Sequence, residues 1–319
     1  MTVIAASAPG KVVLCGEYAV LDGAPAVCMA VDRRASVRVS DAATDYHRML
    51  APGYTDVEGR LGFAAGGIEW LQGKDDFRLL DAVLRTIGFA PPRPLLIELD
   101  TSAFIDPSTG HKIGVGSSAA LTVAVLSALT TADTVLADAI DAHRRLQQGA
   151  GSGVDIATSV YGGLIEYHMA EQRIISLDWP QGLSYRLVWS GIATDTRAKL
   201  AQLANTTSAA ARAALVRSAE AMAAAWTSAA AVLDAYPSYI EQLRQFSDAH
   251  DLGIFAAGHE RLSREAAAAG LIYKPCGAGG GDVGILLGAS DAPLDDFLSG
   301  RAGALAVEFD PVGVTLERQ

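Results

Sequence analysis

The chain has 319 residues, half of them hydrophobic and 19% charged, which is typical of a globular protein with about two domains. Its formal net charge of −11 argues against binding to nucleic acid or to an anionic membrane, because such proteins are usually basic. Three cysteines without metal-ligand spacing, and no apolar stretch long enough for a bilayer or a secretion signal, predict a cytoplasmic protein with reduced, buried thiols. Any phosphate that it binds must therefore meet a local basic pocket in an acidic body.

The first feature in chain order is a strand that carries a lysine near its start. A Pro-Gly pair interrupts the backbone just before Lys11, and Gly16 ends the strand. Glu17 and Tyr18 follow on a bend. Lys11 is either an edge lysine that protects the strand from pairing or a cation that reaches into a neighbouring site.

Alternation of polar and apolar residues, together with turn residues, predicts the elements up to the next feature. We expect strands at 2–6, 25–31, 34–40 and 94–100, surface loops at 46–61 and 101–111, and an amphipathic helix at 75–87. The loop at 46–61 is inferred from its polar residues and from Pro52-Gly53 and Gly59.

Residues 113–120 read Ile-Gly-Val-Gly-Ser-Ser-Ala-Ala and lie between a predicted strand and an apolar helix that extends to residue 129. The two glycines allow the backbone to approach an anion, and the helix N-terminus offers unpaired N–H groups. Ser117 and Ser118 can cap the helix or hold a metal ion, and Lys112 adds a positive charge. The alternative is an ordinary serine-capped helix after a glycine turn. The spacing fits neither the Walker A loop nor the dinucleotide-binding fingerprint.

A second glycine-rich stretch follows a predicted helix at 133–148. Residues 149–157 read Gly-Ala-Gly-Ser-Gly-Val-Asp-Ile-Ala and begin a short helix that extends to Tyr161. Asp155 is either a helix N-terminal carboxylate stabilised by the helix dipole or a carboxylate beside a bound phosphate. A turn and a strand come next, at 162–167.

A change in composition near residues 179–180 predicts a domain boundary, and most of the sequence after it is typical of helices. We expect strands at 185–191, 283–287 and 304–309, one or two helices over the alanine-rich segment 205–236, and further helices at 241–250, 252–270 and 293–300.

The third feature is a run that reads Lys-Pro-Cys-Gly-Ala-Gly-Gly-Gly-Asp at 274–282. Four glycines in five residues carry a large loss of chain entropy on folding, and packing alone seldom requires them. A backbone nest close to an anion is the better interpretation.

These three glycine-rich features, each with a charged partner and in this order, resemble the motifs of the GHMP kinase superfamily over nearly the whole chain. Within it, the chain is most similar to the phosphomevalonate kinase family. The features that carry this are Lys112 before the second motif, Ala142-His143 and Gln148-Gly149 before Gly151-Ser152-Gly153, Trp189-Ser190-Gly191, and Lys274-Pro275-Cys276 before the third motif. Val115, Ile192 and Val283 depart from the family pattern, where Leu, Pro and Cys are common.

The resemblance implies a two-domain α/β and α+β fold, with a ribosomal S5 domain 2-like unit at 1–180 and a ferredoxin-like unit at 181–319. It also implies a phosphotransferase that uses ATP and Mg²⁺ on a small phosphorylated acceptor, as a monomer or homodimer. Lys11 and Asp155 would meet at the transferring group. Residues implied to bind ATP are Lys112, Gly114, Val115, Gly116, Ser117, Ser118 and Ala119, with Ser117 also on the metal. Residues implied to bind the acceptor are Glu17, Tyr18, Ser152, Gly153, Gly277, Ala278, Gly279, Gly280 and Gly281, and either Lys274 or Arg197 for its anionic group.

The acceptor decides the role that Asp155 plays. A phosphate monoester has a second pKa of about 6 and is already a dianion at neutral pH, so that it needs no general base. An alcohol such as mevalonate would benefit from one. The expected acceptor is 5-phosphomevalonate, and the alternatives are a mevalonate kinase or another small-alcohol kinase, a diphosphomevalonate decarboxylase and a sensor without catalysis.

Overall fold

The computed structural model describes residues 3–64, 67–107, 109–130, 135–147, 149, 151–205 and 208–318. The described residues form a nine-stranded sheet, a four-stranded sheet and helices that cover both. The strands of the larger sheet are β1 (Ile4–Cys15), β2 (Ala26–Asp41), β3 (His47–Ala51), β4 (Thr55–Ala64), β5 (Gly67–Gln72), β6 (Leu95–Asp100), β7 (Leu164–His168), β8 (Arg173–Leu177) and β13 (Thr315–Arg318). Those of the smaller sheet are β9 (Ser184–Trp189), β10 (Ile272–Pro275), β11 (Val283–Gly288) and β12 (Ala304–Leu305).

The helices fall into two groups along the chain. The first group is α1 (Arg78–Thr86), α2 (Ser117–Leu129), α3 (Val135–Leu146) and α4 (Val154–Tyr161). The second group is α5 (Thr196–Ala204), α6 (Ala209–Ala224), α7 (Ala229–Ala249), α8 (His259–Ala268) and α9 (Asp291–Leu298). None of the helices in the described ranges is long and apolar enough to cross a membrane.

The larger sheet is mixed, in the order β13-β1-β2-β6-β3-β4-β5, with β7 pairing with β2 and β8 pairing with β7. The smaller sheet is antiparallel, in the order β10-β11-β9-β12. The predicted boundary near residue 180 lies between β8 and β9, which belong to different sheets. The last strand, β13, pairs with β1 and therefore returns to the larger sheet.

Helix α2 lies in the core of the first half of the molecule, and helix α7 connects the second half to it. Helix α2 is apolar on nearly all sides because it is enclosed by β1, β2 and the neighbouring helices. Helix α7 sends two buried tyrosines across to the larger sheet, where the Tyr236 hydroxyl donates to the carbonyl of Leu14 at 3.0 Å. The buried, free thiols of the three cysteines agree with the prediction from composition.

Several predicted elements were wrong. The expected surface loop at 46–61 forms β3 and β4, because His47, Met49 and Ala51 alternate inward and are buried. A polar composition and a Pro-Gly turn concealed this alternation. Helix α5 was not predicted, and the expected strand at 304–309 is ordered as β12 only over Ala304–Leu305.

The C-terminal helices also differ from the prediction in their bounds. The alanine-rich segment divides where the side chain of Ser228 accepts from Ala231 N and starts a new helix. That helix, α7, continues through Pro237 to Ala249 and so includes most of the helix predicted at 241–250. The helix predicted at 252–270 begins only at His259. Asp133 and Gln148, the ends of another predicted helix, lie outside the described residues.

Candidate active site

The loop before α2 has the backbone geometry of an anion site. Gly114 and Gly116 have φ values of 75° and 89°, in the left-handed region that favours glycine. Gly116 is the N-cap of α2, and no side chain caps the helix there. The alternative of a serine-capped helix is therefore not the geometry observed, and no capping side chain accepts from the first N–H groups of α2.

Two side chains lie directly on this loop and explain why it needs glycine. The backbone N–H of Lys11 donates to the carbonyl of Val115 at 2.7 Å. A Cβ atom at Gly116 would lie 3.0 Å from Cγ and Cε of Lys11, and one at Gly114 would lie 2.5 Å from the side chain of Asp282. The loop thus brings together the first and third sequence motifs.

A large cavity of about 870 Å³ opens in front of the α2 N-terminus. It is lined by Ser117, Ser118 and the start of α5, and by six Lys or Arg residues against four Asp residues. The cations are Lys74, Arg78, Arg85, Lys112, Arg145 and Arg197. The acidic protein therefore has the local basic pocket that phosphate binding requires.

A smaller cavity of about 150 Å³ adjoins the large one. Lys11, Tyr18, Ser152 and Asp155 line it, together with Glu17, Gly277 and Ala278. The hydroxyl of Tyr18 donates to the carbonyl of Ala278 at 2.6 Å, which ties the bend after the first motif to the third glycine-rich loop. Gln147 and Thr196 line both cavities, so that the two spaces meet at these residues.

Asp155 is positioned by α4 and by a histidine from α3. It is the second residue of α4, whose N-cap is Gly153 with a φ of 85°, and its Oδ1 accepts from the N–H of Ile156 at 3.0 Å. The buried ring of His143 has Nδ1 3.8 Å from Oδ2 of Asp155 and Nε2 3.3 Å from Oγ of Ser118. His143 therefore connects the two glycine-rich helix starts.

Lys274 does not reach either cavity, and its assignment to acceptor binding is corrected. Its side chain is fully buried and forms an ion pair with Glu17, whose other oxygen accepts from the Tyr239 hydroxyl at 2.6 Å. Burial disfavours the ammonium form, but the sulfur of Cys276 and the carboxylate of Glu17 outweigh this and hold the pKa of Lys274 above its ordinary value. The charge of Lys274 is therefore compensated inside the protein.

The three glycines at the end of the third motif also differ from their predicted role. Gly277 and Ala278 line the smaller cavity, whereas Cβ atoms at Gly279, Gly280 and Gly281 would lie under 3 Å from neighbouring chain segments. These neighbours are Ile254, Gly253, Lys199, Thr194 and Ile192. Close backbone packing explains these three glycines, so that they belong to the support of the site.

The remaining cations lie at the larger cavity. Arg197 is exposed and lines the larger cavity but not the smaller one. Lys112 lies over the ring of Tyr54, with Nζ 5.7 Å from the ring centre. Among the described residues, Lys11 is thus the one Lys or Arg that lines the smaller cavity.

Sequence reasoning gave no role to four residues that either line both cavities, as Gln147 and Thr196 do, or contact residues of the candidate site, as His143 and Asp282 do. Asp282 directly follows the third glycine run. This position next to a predicted anion-binding loop is the signal that could have identified it as a residue of the site. Gln147 and Thr196 carry no such signal because they are uncharged residues at helix ends.

Comparison with known proteins agrees with this geometry. Residues 78–163 match the family model described as the GHMP kinases N terminal domain. A phosphomevalonate kinase of Streptomyces sp. (strain CL190) is 30% identical over an alignment that covers 90% of each protein. A mevalonate kinase of Methanothermobacter thermautotrophicus is 33% identical over 53% of this chain and 51% of its own length.

A solved structure shares the fold. The Streptococcus pneumoniae phosphomevalonate kinase in complex with phosphomevalonate and AMPPNP superposes with a TM-score of 0.75 at 18% identity, over 96% of this chain and 99% of that one. The predicted resemblance and fold class are therefore confirmed. Three glycine-rich motifs lie around two adjoining cavities, and the Streptomyces relative is 30% identical over 90% of both proteins. The chain therefore belongs to the GHMP kinase family.

Proposed function

We propose that this chain transfers the γ-phosphoryl group of ATP to 5-phosphomevalonate and forms 5-diphosphomevalonate and ADP. The observation that carries this proposal is the 30% identity to a phosphomevalonate kinase over 90% of both proteins. The two adjoining cavities support it, because one surrounds a helix N-terminus with cations and the other contains a lysine and a carboxylate. The units at 1–180 and 181–319 both contribute, since Lys11 and Gly277 line the same cavity.

The larger cavity is the proposed ATP site. Its volume of about 870 Å³ is in the range of small-molecule sites. The unpaired N–H groups of α2 and the positive end of its dipole hold the phosphates. The residues assigned to this role are Lys112, Gly114, Val115, Gly116, Ser117, Ser118 and Ala119.

The residues present fit a magnesium ion that is held mainly by the nucleotide. The described part of the chain has no group of three or more His, Cys, Asp or Glu that could hold a metal. Ser117 lines the larger cavity and offers one hydroxyl ligand. Mg²⁺ commonly binds through one or two protein groups, substrate phosphates and water, which suits this donor set. When bound, it neutralises phosphate charge.

Phosphoryl transfer takes place where the two cavities meet. An oxygen of the acceptor phosphate forms a bond to the γ-phosphorus while the bond from that phosphorus to the β,γ-bridging oxygen breaks and ADP leaves. Lys11 stabilises the charge on the transferring group. The acceptor phosphate is already a dianion, so Asp155 orients Lys11 and the acceptor and takes no proton. Glu17, Tyr18, Ser152 and Gly277 surround the acceptor.

A second candidate is phosphorylation of mevalonate itself. The presence of a single Lys or Arg at the smaller cavity, within the described residues, favours an acceptor with fewer charges. With this acceptor the hydroxyl proton passes to Asp155 as the oxygen attacks the γ-phosphorus.

The test measures ADP release with Mg-ATP and each of three acceptors: 5-phosphomevalonate, mevalonate and 5-diphosphomevalonate. We expect turnover that is selective for 5-phosphomevalonate, without release of carbon dioxide, and its loss in Lys11→Met. Selectivity for mevalonate would replace the first candidate with the second. Carbon dioxide release from 5-diphosphomevalonate, or no turnover on any acceptor, would contradict both.

A further inference from the structure

Asp282 lies where the third glycine-rich loop meets the segment that leads into α5. Its φ of 53° is a left-handed conformation, which residues other than glycine adopt infrequently. Its N–H donates to the carbonyl of Ile192 at 2.6 Å, and its own carbonyl accepts from the N–H of Ser190 at 2.8 Å. The backbone of Asp282 therefore fixes the segment 190–194.

The carboxylate of the same residue touches the phosphate loop. Its Oδ1 accepts from the N–H of Thr194 at 3.3 Å, and its side chain fills the space that a Cβ at Gly114 would occupy. The stem of Lys11 lies against Gly116, two residues further along the same loop. One carboxylate thus lies on the phosphate loop, on the α5 segment and within electrostatic range of Lys11.

Burial opposes the negative charge of this carboxylate. Burial raises the pKa of Asp282 above its ordinary value, although the Thr194 N–H and the charge of Lys11 partly oppose this. A carboxyl group with a raised pKa in the folded state makes the folded protein less stable once it is ionised. A carboxylate that is kept in a place where burial opposes its charge is typical of a functional requirement.

We propose that Asp282 is a positioning residue for phosphoryl transfer, which holds the 190–194 segment on the phosphate loop and supplies a second negative charge beside Lys11. Asp155, which lines the smaller cavity together with Lys11, is the first such charge. The segment that Asp282 holds continues to Thr196, which lines both cavities. This proposal rests on the proposed kinase function but not on the identity of its acceptor.

The test compares Asp282→Asn with Asp310→Asn as a matched control. Asparagine keeps the shape of Asp282 and an oxygen that can accept from Thr194, and removes only the charge. Asp310 is also a mostly buried aspartate, 2.6 Å from Arg34 in an ion pair, and it lines neither cavity. Each variant is assayed for kcat, KM and the midpoint of thermal unfolding, with whichever acceptor the wild type phosphorylates.

For Asp282→Asn we expect kcat to fall by at least about tenfold, with changes in KM under about threefold and an equal or higher unfolding midpoint. For Asp310→Asn we expect a lower midpoint and an unchanged kcat. Asp282→Ser, which also removes the charge, should lower kcat in the same way. If Asp282→Asn keeps kcat within twofold, or loses stability as Asp310→Asn does, Asp282 is a structural residue and the proposal is wrong. The kcat of each variant is compared with the kcat of the wild type on the same acceptor, so a wrong assignment of the acceptor does not affect this test.

Discussion

The buried ion pair between Lys274 and Glu17 offers a sharp test of how the site is built. The two side chains are 0% and 1% exposed, and each belongs to a different sequence motif. The Tyr239 hydroxyl donates to Glu17 and accepts from the N–H of Gly16, so the pair also anchors the bend that carries Tyr18. Lys274→Met keeps the approximate length of the side chain and removes its charge.

The expected loss of stability follows from the partner that remains. Within the described residues, Glu17 would keep the Tyr239 hydroxyl as its one strong side-chain donor. Removal of one member of a buried pair typically destabilises by about 3–5 kcal/mol. With an unfolding entropy of about 2.1 cal/mol/K per residue, a chain of 319 residues that unfolds as one unit would lose about 4–7 °C in its midpoint. The double variant Glu17→Gln/Lys274→Met removes both charges, and we expect it to recover more than half of this loss.

The measurement is thermal unfolding followed by circular dichroism, together with KM for the acceptor well below the midpoint. We expect Lys274→Met to show the lower midpoint and a KM within about threefold of wild type, because Lys274 lines neither cavity. A midpoint within 2 °C of wild type, combined with a KM raised by tenfold or more, would refute this reasoning. It would return Lys274 to the acceptor-binding role predicted from sequence.

Two further predictions concern the chemistry and the pH response of the site. With 5-phosphomevalonate as acceptor, Asp155→Asn should lower kcat less than Lys11→Ala, because a phosphate dianion needs no base, and steady-state rates in the opposite order would contradict this. His259 is buried, with Nε2 donating to the carbonyl of Gly281 at 3.0 Å and Nδ1 accepting from the Tyr273 hydroxyl at 2.9 Å. Burial lowers the pKa of His259 from 6.5, so its contribution to stability is complete above pH 6.5 and is lost as the pH falls below it, by at most about 1.4 kcal/mol per pH unit. The midpoint of thermal unfolding, measured between pH 7.5 and 5.5, should fall less steeply in His259→Gln than in wild type. Equal slopes would show that His259 is not the source of this pH dependence.

The sequence was informative wherever function depends on local backbone geometry. The glycines before α2 and the glycine N-cap before Asp155 lie where the pattern predicted them. These features can be predicted from the sequence because a left-handed backbone or an uncapped helix N-terminus requires particular residues within a few positions. The break predicted at Pro9-Gly10 was wrong, because β1 starts at Ile4 and passes through this pair with only a shift in register.

Features that depend on distant partners could not be predicted in this way. Glu17 and Lys274 are 257 positions apart in the chain, and nothing local to Lys274 indicates that a carboxylate will meet it in the core. The glycines from 279 to 281 illustrate a second limit, since a backbone that must approach an anion and a backbone that must pack closely on another segment both require glycine. Residues 47–51 illustrate a third, because a five-residue strand offers only two or three alternations to detect.

In the proposed reaction, a phosphoryl group passes from a nucleotide in the larger cavity to an acceptor phosphate in the smaller one. Phosphorus NMR of the wild-type chain with Mg-ATP and 5-phosphomevalonate tests it most directly, because it identifies the bond that is made. We expect the resonance of the acceptor monoester to disappear while two coupled diphosphate resonances of the product appear in step with those of ADP. Formation of ADP and free phosphate with the acceptor monoester unchanged would contradict the proposed reaction.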